Sequence, residues 1–273
     1  MSSSDISIIG LGTGGSKIAK EFSQYSVYNV YTLDWLDKYE KPEDYEQNIP
    51  DLRDYFSNLD TRVQFFVVGS SYSSNYALGI LEQIKDKDID LIYIKPDTEL
   101  LAGVPKLVER AAFGVLQQYA RSGLFKSITL INNLNIEQTL HSVPIKTYYE
   151  TLNKMIASSV HYINYFDNNE PIIGVKAKAP EVARIRSIGA LDMDTLEEKW
   201  FFDLDIDRDV CYYLCINSER LENDGGLHKK YVEILKEKPR NAFRNVSYAI
   251  YETESTQDFG FCVSLTNVVQ NNS

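Results

Sequence analysis

Residues 7–16 read Ser-Ile-Ile-Gly-Leu-Gly-Thr-Gly-Gly-Ser. A short apolar strand, Ser7–Ile9, runs into glycines at 10, 12, 14 and 15, and Ser16–Tyr25 follows with Ile18 and Phe22 at helical spacing. Glycines between a strand and a helix let the backbone pass close to a ligand and aim amides at it. The helix N-terminus adds a dipole that favours an anion. So many glycines are costly without a tight turn or close backbone approach, and the stretch predicts a phosphate-facing loop, with packing alone as the other reading. Gly10, Gly12 and Gly15 also fit the pattern G-x-G-x-x-G, and Asp34 ends the next strand, where a ribose-binding acid would sit. The loop by itself does not separate a nicotinamide dinucleotide from a guanine nucleotide.

Outward from the loop, strand and helix patterns alternate. Asn29–Leu33 reads as a strand, and residues 38–60 as an acidic stretch with Pro42, Pro50 and a short helix near Leu52–Phe56. Val63–Val68 is a strand of the kind buried on both faces of a parallel sheet. After Gly69 and Ser70-Ser-Tyr-Ser-Ser-Asn75 comes a helix to about Lys85, then strand Leu91–Ile94, helix Leu107–Tyr119 and strand Ser127–Ile131. Thr147–Phe166 predicts a long helix with Leu152, Ile156, Val160 and Ile163 on one stripe. Such alternation means βαβ units in an α/β, doubly wound parallel sheet, with the loops after strands one, three and five along one ligand-binding edge. Beyond Asn168, strand candidates Ile185–Ile188, Trp200–Leu204, Val210–Cys215, Ser247–Tyr251 and Phe259–Leu265 surround one helix, Gly226–Lys236. The expected organisation is a nucleotide-binding domain over 1–146, a central connecting helix over 147–168 and a smaller α+β domain over 169–273.

The totals exclude several classes. Among 273 residues, 28 Lys and Arg face 39 Asp and Glu, a net charge of −11. No basic stripe exceeds Lys236–Arg240, so no nucleic-acid partner is expected. There is no run of about 18 apolar residues, so no membrane insertion is expected. The first residues lack the segments of a signal peptide. Cys211, Cys215 and Cys262 have no metal-ligand spacing, and the first two share one strand face, too far apart to bridge. They read as core thiols of a reducing compartment, with cytoplasm as the expected address and no metal site. His141, His161 and His228 have no ligand spacing and read as ordinary polar positions.

Five stretches, the opening loop and four more in order, carry a resemblance to the tubulin/FtsZ superfamily across residues 6–166. Gly10-Leu-Gly-Thr-Gly-Gly-Ser16 resembles the first phosphate loop of FtsZ, with Thr13 replacing a glycine. Thr32-Leu-Asp34 resembles the family's Asn-Thr-Asp, and Lys95-Pro96 a Lys-Pro pair after a strand. Ile128-Thr-Leu-Ile-Asn-Asn133 is similar to the strand whose Asn contacts the guanine base, and Tyr149 with Asn153 to an aromatic-x-x-x-Asn pair on the central helix. The resemblance implies a GTP or GDP site at Gly10, Gly12, Thr13, Gly14, Gly15, Ser16, Asp34, Asn133, Tyr149 and Asn153, with Mg2+ allowed, and head-to-tail self-association into filaments. It names no other partner protein. Structural readings stay open beside it: Asn133 as a turn cap, Tyr149 as core packing and Asp34 as a loop acid.

Two departures from the family bear on catalysis. Its second glycine loop is replaced by Gly69-Ser-Ser-Tyr-Ser-Ser-Asn75, where Gly69, Ser70, Ser71 and Ser73 are the candidate phosphate contacts and Tyr72 must point elsewhere. The catalytic Asn-x-Asp-x-x-Asp loop is matched only by Asp167 and Glu170, with Tyr165 where the Asn should be. These acids are the candidate catalytic pair for polarising water in phosphoryl transfer, or a solvated loop after a helix. The expected function is therefore a guanine-nucleotide-binding, filament-forming protein in which hydrolysis is doubtful. The alternatives are a non-hydrolysing pseudo-GTPase serving as a structural or binding module, and an NAD-dependent Rossmann oxidoreductase.

Overall fold

Every residue of β1 (Ile6–Leu11) is buried, as befits a central strand covered on both faces. The computed structural model describes residues 6–97, 101–140, 142–176, 181–206, 209–239 and 245–271; His141 and Arg240 lie outside them. From β1 the chain enters α1 (Gly12–Glu21) and returns as β2 (Tyr28–Leu33), parallel to β1. A long excursion carrying α2 (Pro42–Gln47) leads to β3 (Arg62–Val68), which pairs with the other side of β1. Then follow α3 (Ala77–Gln83), β4 (Asp88–Lys95), α4 (Val104–Arg121), β5 (Ser127–Asn132), α5 (Asn133–Leu140) and the 21-residue α6 (Tyr148–Asn168).

The later elements are β6 (Ile173–Gly174), β7 (Ile185–Leu191), β8 (Glu198–Trp200), β9 (Asp209–Asn217), α7 (Ser218–Asn223), α8 (Leu227–Glu237), β10 (Asn245–Thr253) and β11 (Phe259–Thr266). Together they form one sheet in the order β2-β1-β3-β4-β5-β7-β11-β9-β10-β6, with β8 beside β7. The ladder is parallel from β2 to β7; beyond it, β11 runs antiparallel to β7 and β9, while β9 and β10 are parallel.

Helices cover both faces. On one, α1, the 3-10 turn after it and α6 bury Ile18, Phe22, Leu152, Ile156, Val160 and Ile163. On the other, α3 and α4 bury Ile80, Leu81, Phe113 and Leu116. The two-residue period of β9 divides its side chains cleanly: Cys211, Tyr213 and Cys215 face α6, and Val210, Tyr212, Leu214 and Ile216 face α8. All three cysteines are free and buried, the first two on one face as expected. Phe166 stacks on Tyr213 with centroids 4.8 Å apart, so α6 packs on strands from both parts of the chain.

Two local expectations are corrected. Leu52–Phe56 forms turns, with Leu52 and Phe56 buried as plugs. The helix of that region is α2, started by a proline and by Glu43 and Asp44 in its first turn, which suit a helix N-terminus. The strand expected over Trp200–Leu204 ends at Trp200. Phe201 and Phe202 are both buried, in cores on opposite faces of the sheet, and the chain leaves the ladder there. Helices α5 and α7 were not foreseen from periodicity, being only 8 and 6 residues long.

Candidate functional site

The strand order reverses at β1: β2 lies on one side and β3 on the other. Open α/β sheets bind ligands outside the carboxyl ends of the strands at such a switch point. Here the loops after β1 and β3 meet, because a Cβ built on Gly12 would fall 1.9 Å from Ser73 Oγ. Gly12 also has φ +67°, a left-handed conformation that glycine adopts without steric cost.

The expected phosphate-loop residues divide into two groups. Gly10, Gly15 and Ser16 are buried. A Cβ on Gly10 would lie 2.3 Å from the Gly15 carbonyl oxygen, and one on Gly15 would lie 2.6 Å from that of Phe66. The Ser16 hydroxyl donates to the Gly10 carbonyl at 3.0 Å. These three let α1 sit tightly on β1 and β3. Thr13 and Gly14 are exposed, at the first turn of α1. That turn has no acidic residue, and Leu11 at the N-cap offers no side-chain acceptor. Its amides are left for an outside acceptor, the arrangement that receives anions.

The loop after β3 caps itself. Ser71 accepts from the Ser74 amide at 3.2 Å and donates to the Val68 carbonyl at 2.8 Å, while the Ser74 hydroxyl donates to the Ser71 carbonyl at 2.6 Å. A 3-10 turn over Tyr72–Tyr76 then leads into α3. Ser70 is exposed with φ 58°, a left-handed conformation in which glycine is the usual occupant. Tyr72 turns towards the segment after β2: its hydroxyl reaches the Leu36 carbonyl at 3.4 Å and its ring lies 5.9 Å from Lys38 Nζ. Between them opens a cleft of about 370 Å³ lined by Lys38, Glu40, Ser70, Asn75 and Glu109, among others.

Under that loop lies a group the sequence reading missed. Gly69 is held against Tyr93, whose hydroxyl would be 2.2 Å from a Cβ there. Tyr93 donates to Glu109 Oε1 at 3.1 Å, and Glu109 Oε2 is buried without a partner among the described residues. Burial raises the Glu109 carboxyl above its ordinary range, against the opposing pull of Tyr93 and Lys95. Lys95, only 6% exposed, lies over the rings of Phe113 and Phe202, and burial lowers its pKa. The signal in the sequence was Glu109 itself, an acid one turn from Phe113 on the buried face of α4.

Asp34 is exposed and bridged to Lys20 of α1 at 2.9 Å, with that hydrogen bond holding its carboxyl below the ordinary range. Asn133 opens α5, and the capping role belongs to its neighbour: Asn132 Oδ1 accepts from the Leu134 amide at 2.9 Å. Tyr149 is 67% exposed, which rules out core packing, and stands edge-on to Tyr148 at 5.2 Å. Asn153 follows one helical turn later, half-buried.

Asp167 and Glu170 are not brought to these residues. They lie at the far end of the 21-residue α6, roughly 30 Å away by helix rise. There Asp167 pairs with Arg62 at 3.4 Å, and Glu170, with its side chain 92% exposed, stands 4.0 Å from Lys176. One copy of the chain therefore does not contain both sets in one site. No His, Cys, Asp and Glu grouping suited to a metal ion occurs among the described residues, and no described helix is long and apolar enough to cross a membrane.

The sheet order, the central helix and the loops on one edge define a tubulin/FtsZ-like fold. The chain is similar to an FtsZ dimer of M. jannaschii over 96% of its own length and 88% of that chain, with TM-score 0.68 and 10% identity. It is similar to the GDP-form TubZ protofilament of Bacillus thuringiensis serovar israelensis over 97% and 85% (TM-score 0.67, 13% identity). A GTPγS-bound CetZ2 protofilament from Haloferax volcanii matches over 96% and 92% (TM-score 0.62, 11% identity). No protein-family model and no curated protein sequence matches the chain.

Proposed function

We propose that this protein binds a guanine nucleotide, GTP or GDP, at the carboxyl edge of its parallel sheet and assembles head to tail into filaments. The observation that carries the reading is the uncapped first turn of α1 at the switch point, beside Gly12. Thr13 and Gly14 lie at the phosphates, with exposed Ser70 opposite, whereas Ser73, expected there too, is buried against Gly12 and shares a hydrogen bond with Ser71. Tyr149 offers an exposed face to the base, worth about 1–3 kcal/mol in stacking. Asn133 and Asn153 offer amides to the guanine edge, and Mg2+ would be held chiefly by the phosphates. In this reading 1–146 holds the nucleotide, 147–168 connects, and 169–273 completes the contact face.

Assembly is supported by the two ends of α6. Leu134, Ile145 and Tyr149 expose apolar surface near its start, and Ile172, Ile173 and Val175 just beyond its end. Unlike patches at opposite ends make a heterologous contact, which gives open filaments when it does not close. TubZ and CetZ2, similar in fold, are described as protofilaments.

Binding without turnover is favoured by the Arg62 pairing of Asp167 and by the serine hydroxyls spent within the second loop. The Lys20 bridge to Asp34 weighs against a dinucleotide ribose. A thermal-shift panel of GTP, GDP, ATP and NAD tests the ligand. Guanine nucleotides at 100 times their dissociation constant should add about 2.7 kcal/mol, and a response to NAD alone overturns the reading. Pelleting and negative-stain microscopy with and without GTP test assembly, which a strictly monomeric chain would refute. Phosphate release that Asp167→Ala and Glu170→Ala abolish would establish turnover.

A further inference from the structure

At the foot of α6, on the amino edge of the parallel strands, lies a cleft of about 500 Å³. Arg62, Lys126, Arg184 and Arg186 line it, although the chain as a whole carries −11. The carboxylates around it are Asp90, Asp167 and Glu181. Two of these are already committed. Arg62 pairs with Asp90 at 3.0 Å and with Asp167 at 3.4 Å, and Ser127 donates to Asp90 at 2.7 Å. Arg186 Nε donates to the Thr129 hydroxyl at 2.6 Å, and Arg184 donates to the Phe125 and Lys126 carbonyls at 3.3 Å. Among the described residues, Lys126, Arg184 and Arg186 make no ion pair within 4.0 Å. Lys126 is exposed, and Arg184 and Arg186 are half-buried at the cleft wall.

The opposite edge of the sheet has the complementary charge. The segment from Asp37 to Glu46, which includes most of α2, carries Asp37, Glu40, Glu43, Asp44 and Glu46 against Lys38 and Lys41. All five acids are exposed or half-buried. The segment is tied to the carboxyl edge, where Tyr76 donates to the Asp37 carbonyl at 3.0 Å and Tyr72 to that of Leu36 at 3.4 Å. Acid at the head and base at the foot of one rigid sheet cannot meet within a copy. They can meet between copies stacked along α6.

We propose that the basic cleft at the foot of α6 receives the acidic α2 segment of the next copy, and that this pairing sets the register of the stack. The proposal rests on the head-to-tail reading. Lys126 and Arg184 supply the attraction, while Arg62 stays committed to Asp90 and Asp167, and Arg186 to Thr129 beside Asp90. Because these charges are partly solvated, with screening over about 10 Å at 0.1 M salt, the contact weakens as salt rises.

The experiment measures the critical concentration for assembly by pelleting, with fold checked by circular dichroism. Lys126→Glu/Arg184→Glu should raise it at least tenfold, and added Glu43→Lys/Glu46→Lys on the same chain should restore it. Lys126→Glu alone, at an exposed side chain, gives a smaller rise and serves if the double variant misfolds. A wild type that never assembles overturns the head-to-tail reading and this proposal with it. A wild type that assembles while both foot variants assemble equally well overturns the proposal alone. So does a foot defect that the head reversals do not restore, or foot variants that lose pyrophosphate binding with assembly unchanged.

Discussion

Glycines that look alike in the sequence differ in what they touch. Gly10 and Gly15 face backbone, which cannot yield, whereas Gly14 faces the Val68 side chain at 2.9 Å. Gly10→Ala or Gly15→Ala should therefore cost about 3 kcal/mol or more, as overpacking against fixed atoms does. Gly14→Ala should stay within about 1 kcal/mol of wild type, its helix propensity offsetting the contact. Urea denaturation midpoints separate the three. At Ser70, φ 58° suits glycine, so Ser70→Gly should stabilise by about 0.5–1 kcal/mol in the same assay. The need for a close backbone approach was legible in the sequence, since glycine clusters have few other causes. Which glycine serves packing and which faces outward depends on the distance to β3, a quantity no local pattern contains.

At the scale of elements, α6 is fastened to the sheet by a polar chain. Asn164 and Gln64 exchange amide hydrogen bonds at 2.7 and 2.9 Å, Asn164 donates to Tyr28 at 3.2 Å, and Tyr28 shares a hydrogen bond with His161 at 2.9 Å. Arg62 closes its lower end over Asp90, which is 1% exposed. Burial alone would raise the Asp90 carboxyl, but Arg186, Arg62 and Ser127 hold it below its ordinary range. Arg62→Ala removes the ion-pair partner of that buried carboxylate and should cost about 3 kcal/mol, Arg186 and Ser127 remaining beside it. Asp167→Ala, at the exposed end of the same clamp, should cost under about 1 kcal/mol. Equilibrium unfolding of the two variants tests this contrast. His161 stacks on Tyr25 at 3.7 Å, and burial lowers its pKa below 6.5. The unfolded chain thus takes up this proton first as pH falls. The contribution is complete above about 6.5 and drains away below it, through the folded value. Between about pH 7.5 and 5.5 the wild type should lose more stability than His161→Gln, measured by urea midpoints. The α6 stripe was readable from its period, but its partners were not: Gln64 and Asn164 lie 100 residues apart in sequence.

At the scale of the molecule, the parallel pairing of β5 with β7 carries one sheet through the whole chain. Phe202 enters the core that holds Phe113, and Tyr213 stacks on Phe166. The proposed units 1–146 and 169–273 should therefore unfold together. Trp35 and Trp200 report one unit each, so single-tryptophan variants made with Phe should give coincident denaturation midpoints. Separated midpoints would show that the shared sheet does not couple them. Net charge and residue order did not foretell the separation of acid at the head from base at the foot, because Arg62, Lys126, Arg184 and Arg186 converge only when strand starts line up.

By itself, the sequence determined the α/β alternation, the glycine loop at 10–15 and the central helix, because periodicity and glycine's conformational freedom act over a few residues. It also showed that the second loop keeps only Gly69 of its glycines, whereas the structure shows Ser70 in a left-handed conformation all the same. Only the tertiary structure decided that the two loops meet at Gly12 and Ser73, that Gly10, Gly15 and Ser16 are packing residues, and that Asp167 and Glu170 stand at the other end of α6. Those outcomes rest on strand order and register, where contacts between residues distant in sequence outweigh every local preference.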